Sequence, residues 1–466
     1  MRFYWNDEDP SRISMFAKSL RPVLRLKMIY YMRLLLISGG MIWAPLCIFF
    51  GATYRRSSYL HRINLLIVDL DGGPIGREIS DHILMHADPG DASSPVWQGR
   101  SDFASLRDVE EWVRRDGWGA IVVNSGASAR LAGAAAGYDP RAAITVVANS
   151  GRHEIAYQSY VEPVLTSTAY AAVTEFNTRY VERIQRGLVG IPGSPEALLT
   201  AVGSTEENVA PMTFDLAPII TLFGFFVSML CTISVLIAWK MTTFGFFLRA
   251  KHTHVYLGLL AVIFAWTLYF SMLAALADSA FRGPHYRGHA KEYTVGRFFS
   301  IWFASHAALL ANALWIMSWY VLLTPELIGL LSDVTVVTNV VSTLVPVELT
   351  PGFYHIFYIL PFYNGSQLLR YVFSGGYPRL GRILGILLGE IGGMCVVFFV
   401  ATGVRQMCVL RGWSDVPGWY HGQRYFSSPV PFQKLHSDKV DITERAESIA
   451  DSVDEVTSLK DGNLGV

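Results

Sequence analysis

Residues 34–54 carry no charged side chain, enough for the roughly 20 apolar residues that a membrane-crossing helix needs. Shortly after this run comes Ile63 to Gly76, INLLIVDLDGGPIG. Ile63 to Leu70 is a β-branched and leucine-rich stretch closed by the turn signal Asp71-Gly72-Gly73-Pro74, and it reads as a strand buried on both faces. Such a strand belongs at the centre of a sheet, not its edge, so a folded domain must hang directly from the first span. The remaining apolar runs begin only after that domain is finished. One span, a domain, then a cluster of spans: this order limits the fold more than any other feature.

Composition agrees. The chain of 466 residues is 52% hydrophobic and 16% charged, against about 25% charged in soluble domains. Its formal net charge is zero, which argues against nucleic acid as a partner. Cys47, Cys231, Cys395 and Cys408 all lie in or beside apolar runs, so no disulfide framework supports the inserted domain.

Residues 1–29 hold Arg2, Arg12, Lys18, Arg21, Arg25 and Lys27 against Asp7, Glu8 and Asp9. Ile13, Phe16, Leu20 and Leu24 recur at helical spacing, which suits a helix lying on an anionic membrane surface. A basic leader that orients the first span explains the same residues, and the two readings are compatible. The basic excess places the N-terminus in the cytosol. A retained span at 30–54 then puts an α/β domain, residues 55–214, on the other side. Gly119 to Asn124 and Ala143 to Asn149 are its further strands, and Glu154 to Leu188 is helical with a break near Pro163. Residues 215–404 form a five-span block with spans at 216–239, 252–277, 298–325, 327–347 and 383–404. Pro351, Pro361 and Asn364-Gly365 break 349–369, which reads as a re-entrant or interfacial hairpin. Six spans return the C-terminus to the cytosol. There residues 438–461 carry eight acids against three bases, and 405–466 reads as a largely disordered acidic tail.

Candidate functional residues are few. Glu390, Asp333 and His306 are ionisable at membrane depth, a functional signal by default; they line a polar path or fix helix order. Asn312 and Asn339 read as hydrogen-bond glue between helices. Gly381, Gly385, Gly389 and Gly393 form a small-residue ridge for close helix packing, within the chain or with another copy. Asp69, Asp71, Gly72 and Gly73 miss the ligand spacing of a calcium loop and read as a strand end and turn. Asn364-Gly365-Ser366 is a glycosylation sequon. No P-loop, nucleophile elbow or H-E-x-x-H is present, so neither an enzyme nor a cofactor is expected, and no metal site.

The strand and turn NLLIVDLDGGPIG, the run AIVVNSGASARL and the stretch FYILPFYNGSQLLRYVFSG, in a 1+5 span order, resemble the fungal nitrosoguanidine-resistance membrane protein family (DUF3533). That family is related to membrane subunits of ABC-2 type exporters and to YhgE/Pip-like proteins. The resemblance covers about residues 30–410. It implies a plasma-membrane or endomembrane protein that exports or excludes toxic small molecules, or alters lipid distribution. Membrane lipids and hydrophobic small molecules are the implied partners. A homodimer and a separate ATPase subunit stay open, although no nucleotide-binding domain is present and the loop that would meet such an ATPase, Lys240–Lys251, is short and basic. The competing expectation is a non-transporting membrane regulator or scaffold whose external domain binds a partner.

Overall fold

The computed structural model describes residues 21–87, 91–135, 137–212, 224–242, 251–280, 295–323, 325–376 and 379–410. The chain enters through α1 (Arg21–Thr53). Residues 21–29, expected to belong to a separate surface segment, are the start of this same helix; residues 1–20 and the acidic tail from 411 lie outside the described residues. A 3₁₀ helix, Arg56–Arg62, leads into β1 (Asn64–Asp69). The α/β domain continues as α2 (Pro74–His86), β2 (Val96–Arg100), α3 (Leu106–Arg115), β3 (Gly119–Val123), α4 (Ala127–Ala132) and β4 (Ile144–Ala148). The single turn α5 (Glu154–Ala156) runs through a π-helical turn, Tyr157–Val161, into α6 (Glu162–Gln185). Pro163 sits at the start of α6, directly after the π turn. The short α7 (Pro195–Leu199) and β5 (Ser204–Asn208) close the domain.

The strands form one mixed sheet in the order β2-β1-β3-β4-β5. β1 is parallel to both neighbours, β3 and β4 are antiparallel, and β4 and β5 are parallel. β1 is interior, but the middle strand is β3. The LLIV run of β1 is apolar throughout because its two faces feed two cores. Leu65 and Ile67 pack with Ile75 and Ile79 of α2 and Leu165 of α6, while Leu66 and Val68 pack with Val109 and Val113 of α3. The sheet edges β2 and β5, VWQGR and STEEN, are half-polar or polar and gave no apolar run to read.

The turn after β1 is set by its acids and glycines. Asp69 Oδ1 accepts from the backbone N–H of Asp71 and Gly72, each at 2.9 Å. Asp71 reaches across to α4, taking the Ser128 N–H at 3.0 Å and its hydroxyl at 2.5 Å. Ser128 Oγ in turn accepts from the Ile75 N–H at the start of α2, at 3.0 Å. Gly72 has φ +62°, where a side chain is strained, and a Cβ on Gly76 would fall 1.9 Å from Asp69 Oδ1.

The membrane part comprises α8 (Gly224–Thr242), α9 (His252–Ala280), α10 (Val295–Leu322), α11 (Pro325–Leu344), α12 (Pro361–Ser374) and α13 (Leu380–Leu410). Among the described residues five helices are long and apolar enough to cross a membrane, in α1, α9, α10, α11 and α13; this is an integral, multi-pass membrane protein. The span expected at 216–239 is described only from Gly224, as α8, whose apolar part is Phe225–Leu236. The loop residues 243–250 and 281–294 are also outside the described residues. α10 is the axis of the main bundle: Ile301, Leu309 and Leu314 pack with Met229 of α8, Ile263 of α9, Phe362 of α12 and Leu387 of α13. A second cluster joins α1 to α11 through Ala52, Val341 and Val345. The hairpin expected at 349–369 is a pair of 3₁₀ helices, Val347–Leu349 and Gly352–Ile359, followed by α12.

Gly76→Ala should lower the stability of the α/β domain by roughly 1–3 kcal/mol, the cost of overfilling a packed site. Gly190→Ala, where a Cβ meets nothing within 4 Å, should leave it unchanged. Thermal unfolding of the two full-length variants in detergent checks the contrast.

Candidate functional site

The three intramembrane ionisable residues are distributed over three helices. Glu390 lies on α13, Asp333 on α11 and His306 on α10, and no hydrogen bond or ion pair joins any two of them. His306 is 7% exposed, and its ring stands edge-on to Phe264 at 4.9 Å between centroids. Among the described residues neither of its nitrogens nor Glu390 Oε2 makes a hydrogen bond of ordinary geometry, although the Thr267 backbone lies close enough to act on the His306 ring. Asn312 donates to Ala308 O within its own helix at 3.2 Å, so it glues no second helix. Asn339 does: its Oδ1 accepts from the Phe362 N–H at 3.2 Å, satisfying an otherwise unpaired donor at the start of α12.

One expectation is overturned and another narrowed. The sequon asparagine, Asn364, is 2% exposed and donates to Tyr358 O and Leu360 O, both at 3.0 Å; buried inside α12, it is closed to a glycosyl transferase in this fold. Of the two partners open to the glycine ridge, the one within the chain is not found among the described residues. A Cβ on Gly381, Gly385, Gly389 or Gly393 would meet nothing within 4 Å, because α13 turns Ile383, Leu387 and Phe398 inward instead.

A different constellation forms where the α/β domain meets the membrane helices. β4 is antiparallel to β3, so it returns the chain towards the first span, and Asn149-Ser-Gly-Arg-His-Glu154 follows at that end. Glu154 and Arg370 of α12, 2% and 0% exposed, form an ion pair. Arg370 Nε donates to Glu154 Oε2 at 2.8 Å and Nη2 to Oε1 at 3.2 Å. Nη2 also donates to Thr343 O at 3.2 Å, and Nη1 to Ser366 Oγ at 3.4 Å. Gly151 permits this approach: a Cβ there would lie 2.1 Å from Ser374 Oγ. Beside it, Arg152 stacks 4.6 Å from the Trp118 ring centroid and pairs with Glu348 at 3.3 Å. Arg62 Nη1 donates to Glu348 O at 3.1 Å and Thr350 O at 3.0 Å. Between these residues Leu349 enters the core of the α/β domain.

Sequence reasoning missed this junction because Glu154 and Arg370 are 216 positions apart. One signal existed. Arg370 directly follows the uncharged stretch 349–369, and a charge among apolar residues needs a partner.

The electrostatics follow the geometry. Burial pushes the Glu154 carboxyl up, but the Arg370 guanidinium outweighs it and holds the group at about 2. Burial pushes His153 down to about 3, helped by the Arg370 charge; its Nδ1 accepts from the Ala156 N–H at 3.3 Å, which requires that nitrogen unprotonated. At the β1 turn burial raises Asp71, yet the hydroxyl and N–H of Ser128 bring it below the ordinary carboxylate range.

Removing one partner of a buried pair costs about 3–5 kcal/mol, so Glu154→Gln should destabilise the protein by that order. Glu154→Leu with Arg370→Met should recover most of the loss. Thermal unfolding in detergent measures both. His153 and Glu154 each bind fewer protons folded than unfolded, so each contributes stability that acid removes. The His153 share should decline as pH falls from its ordinary 6.5 towards about 3, and the Glu154 share from its ordinary 4.5 towards about 2. In His153→Gln, unfolding followed against pH should lose the upper limb and keep the lower.

The sequence profile of a family described as "Protein of unknown function (DUF3533)" matches residues 34–396. The match runs from the first span through the α/β domain into α13, and it includes both Glu154 and Arg370. Nothing among the curated proteins or the solved structures matches the chain. With its profile spanning most of the sequence, the chain belongs to the DUF3533 family.

Proposed function

We propose that the protein exports or excludes hydrophobic toxic compounds, or redistributes lipids, as an ABC-2 permease-like unit of six spans with no catalytic chemistry of its own. The observation that carries this reading is a pair of ionisable groups in the membrane block, the buried His306 and the half-buried Glu390, whose Oε2 has no hydrogen-bond partner among the described residues. An ionisable group without a partner at membrane depth costs several kcal/mol. Packing gains nothing from it, so a polar cargo group or a proton is the natural partner. Asp333 on α11 belongs to the same polar set. On this reading the α/β domain faces away from the cytosol, both termini are cytosolic, and the membrane is the plasma membrane or an endomembrane. The likeness to the nitrosoguanidine-resistance proteins points the same way, and energy comes from an ion gradient or from a separate ATPase.

The second reading is a non-transporting regulator or scaffold, alone or as a homodimer. The open glycine ridge of α13 favours it, since such ridges serve contacts with other helices.

Reconstitution into liposomes with fluorescent lipid and dye substrates, with and without a proton gradient, separates the two. Transport predicts flux in the wild type and at least a tenfold loss in Glu390→Gln at equal expression and equal unfolding temperature, the order expected when about 1.4 kcal/mol of a needed interaction is removed. Flux unaltered in Glu390→Gln removes the polar path, and no flux from folded protein favours the regulator.

A further inference from the structure

The 3₁₀ helix Gly352–Ile359 has three residues per turn, so Phe353, Ile356 and Ile359 fall on one line. They are 81%, 55% and 56% exposed, while Phe357 on the opposite side is 1% exposed. An apolar ridge of this kind in water would be a liability. Its depth says where it sits. Tyr354 Oη donates to Cys47 O of α1 at 3.1 Å, and Cys47 lies inside the span Tyr31–Thr53, about 9 Å below its end at 1.5 Å per residue. The tyrosine lies flat on α1 because residue 51 is glycine: a Cβ there would fall 1.9 Å from its hydroxyl oxygen. The short helix therefore lies at the boundary of hydrocarbon and headgroups, in the leaflet on the side of the α/β domain.

Cations flank the ridge at the same level. The Arg382 guanidinium lies 5.9 Å from the Tyr358 ring centroid. The exposed His355 lies between Tyr358, at 6.0 Å between ring centroids, and Arg62, whose Nη1 is 3.5 Å from His355 Nε2. Apolar side chains at acyl depth with a guanidinium at headgroup depth are the pattern of an interfacial helix that holds a phospholipid by its phosphate.

We propose that Gly352–Ile359 is a lipid-binding ridge: Phe353, Ile356 and Ile359 enter the acyl region of that leaflet, and the Arg382 guanidinium holds the phosphate of a phospholipid. The contact is transmitted. The preceding turn places Leu349 in the α/β core and Glu348 against Arg152, so lipid occupancy bears directly on the position of the domain. This inference does not depend on whether the protein transports anything.

The test is photo-crosslinking of the full-length protein in phosphatidylcholine vesicles, with and without phosphatidylserine. One lipid carries a diazirine high on its acyl chain and another carries it on the serine headgroup. The lipid-facing residues Leu388 and Val396 of α13, 65% and 64% exposed, serve as the internal positive control. Acyl adducts are expected on Phe353, Ile356 and Ile359 but not on Phe357. Headgroup adducts near the ridge should fall about fivefold in Arg382→Gln, the effect of one basic side chain at an anionic surface. Labelling of α13 without labelling of 352–360, a cross-link between two chains at the ridge, or equal headgroup labelling in Arg382→Gln would each overturn the proposal.

Discussion

The seating of the α/β domain on the membrane helices centres on one buried ion pair, Glu154 with Arg370. Taking two charges out of water costs several kcal/mol for each, and only close, multiple hydrogen bonds return it. Arg370 meets that condition: its fork engages both carboxylate oxygens, and its remaining donors reach Thr343 O and Ser366 Oγ. The pair therefore contributes little net stability compared with an apolar contact of the same size, but it is intolerant of separation. A displacement of the α/β domain by a few ångströms would leave an unpaired guanidinium beside α11 and α12.

The sheet topology exists in service of that junction. With β1 and β3 parallel, the chain would leave each strand at the far end of the domain. Reversing β4 brings Ala148 opposite Gly119 and returns the chain to the membrane end, where Asn149 to Glu154 can meet α12. Asn149 then donates to Val113 O at 2.8 Å, tying the loop to α3. β5 runs parallel to β4 and so descends to the same end, with Ala148 opposite Asn208, which suits a chain about to enter α8. A fully parallel sheet would have presented neither the ion pair nor the exit. The chain has used one antiparallel step to turn a domain that grows away from the membrane into one that is gripped by it.

How much of this was legible in the sequence depends on whether the signal was local. The run NLLIVD announced an interior strand because both its faces are apolar, and long apolar runs announced α1, α9, α10, α11 and α13, the last two despite Asp333 and Glu390 within them. The turn Asp69 to Gly73 was readable as a turn, yet Ser128, which completes it, is 57 positions from Asp71. The strands β2 and β5 carry Gln98 and Glu206-Glu207 at exposed edges, so they had no apolar pattern to give. Spacing alone suggested that Gly381 to Gly393 would be packed; it could not say which side of α13 is inward. The helix turns Ile383, Leu387 and Phe398 towards α10, and that choice rests on bulk, which fills the bundle better than a glycine face can. The sequon at Asn364 failed for a related reason: a three-residue motif contains no information on burial.

The polar residues of the membrane block divide into two kinds, and the division carries functional weight. Thr232, Thr267, Ser318 and Thr338 each return a hydroxyl to a carbonyl three or four residues earlier. These groups are satisfied by their own helix, as hydroxyls in membrane helices can be, and they require nothing from a neighbour. His252 reaches the Thr402 hydroxyl at 2.9 Å and Tyr256 reaches Cys395 O at 3.2 Å, which stitches α9 to α13 near one end. Glu390 and His306 follow neither pattern. They lie in helices otherwise complete in their hydrogen bonding, where a leucine or phenylalanine would pack at no electrostatic cost. Where most hydroxyls of the block are satisfied by their own helix, Glu390 Oε2 is left without a hydrogen bond among the described residues, which suits a role other than holding helices together.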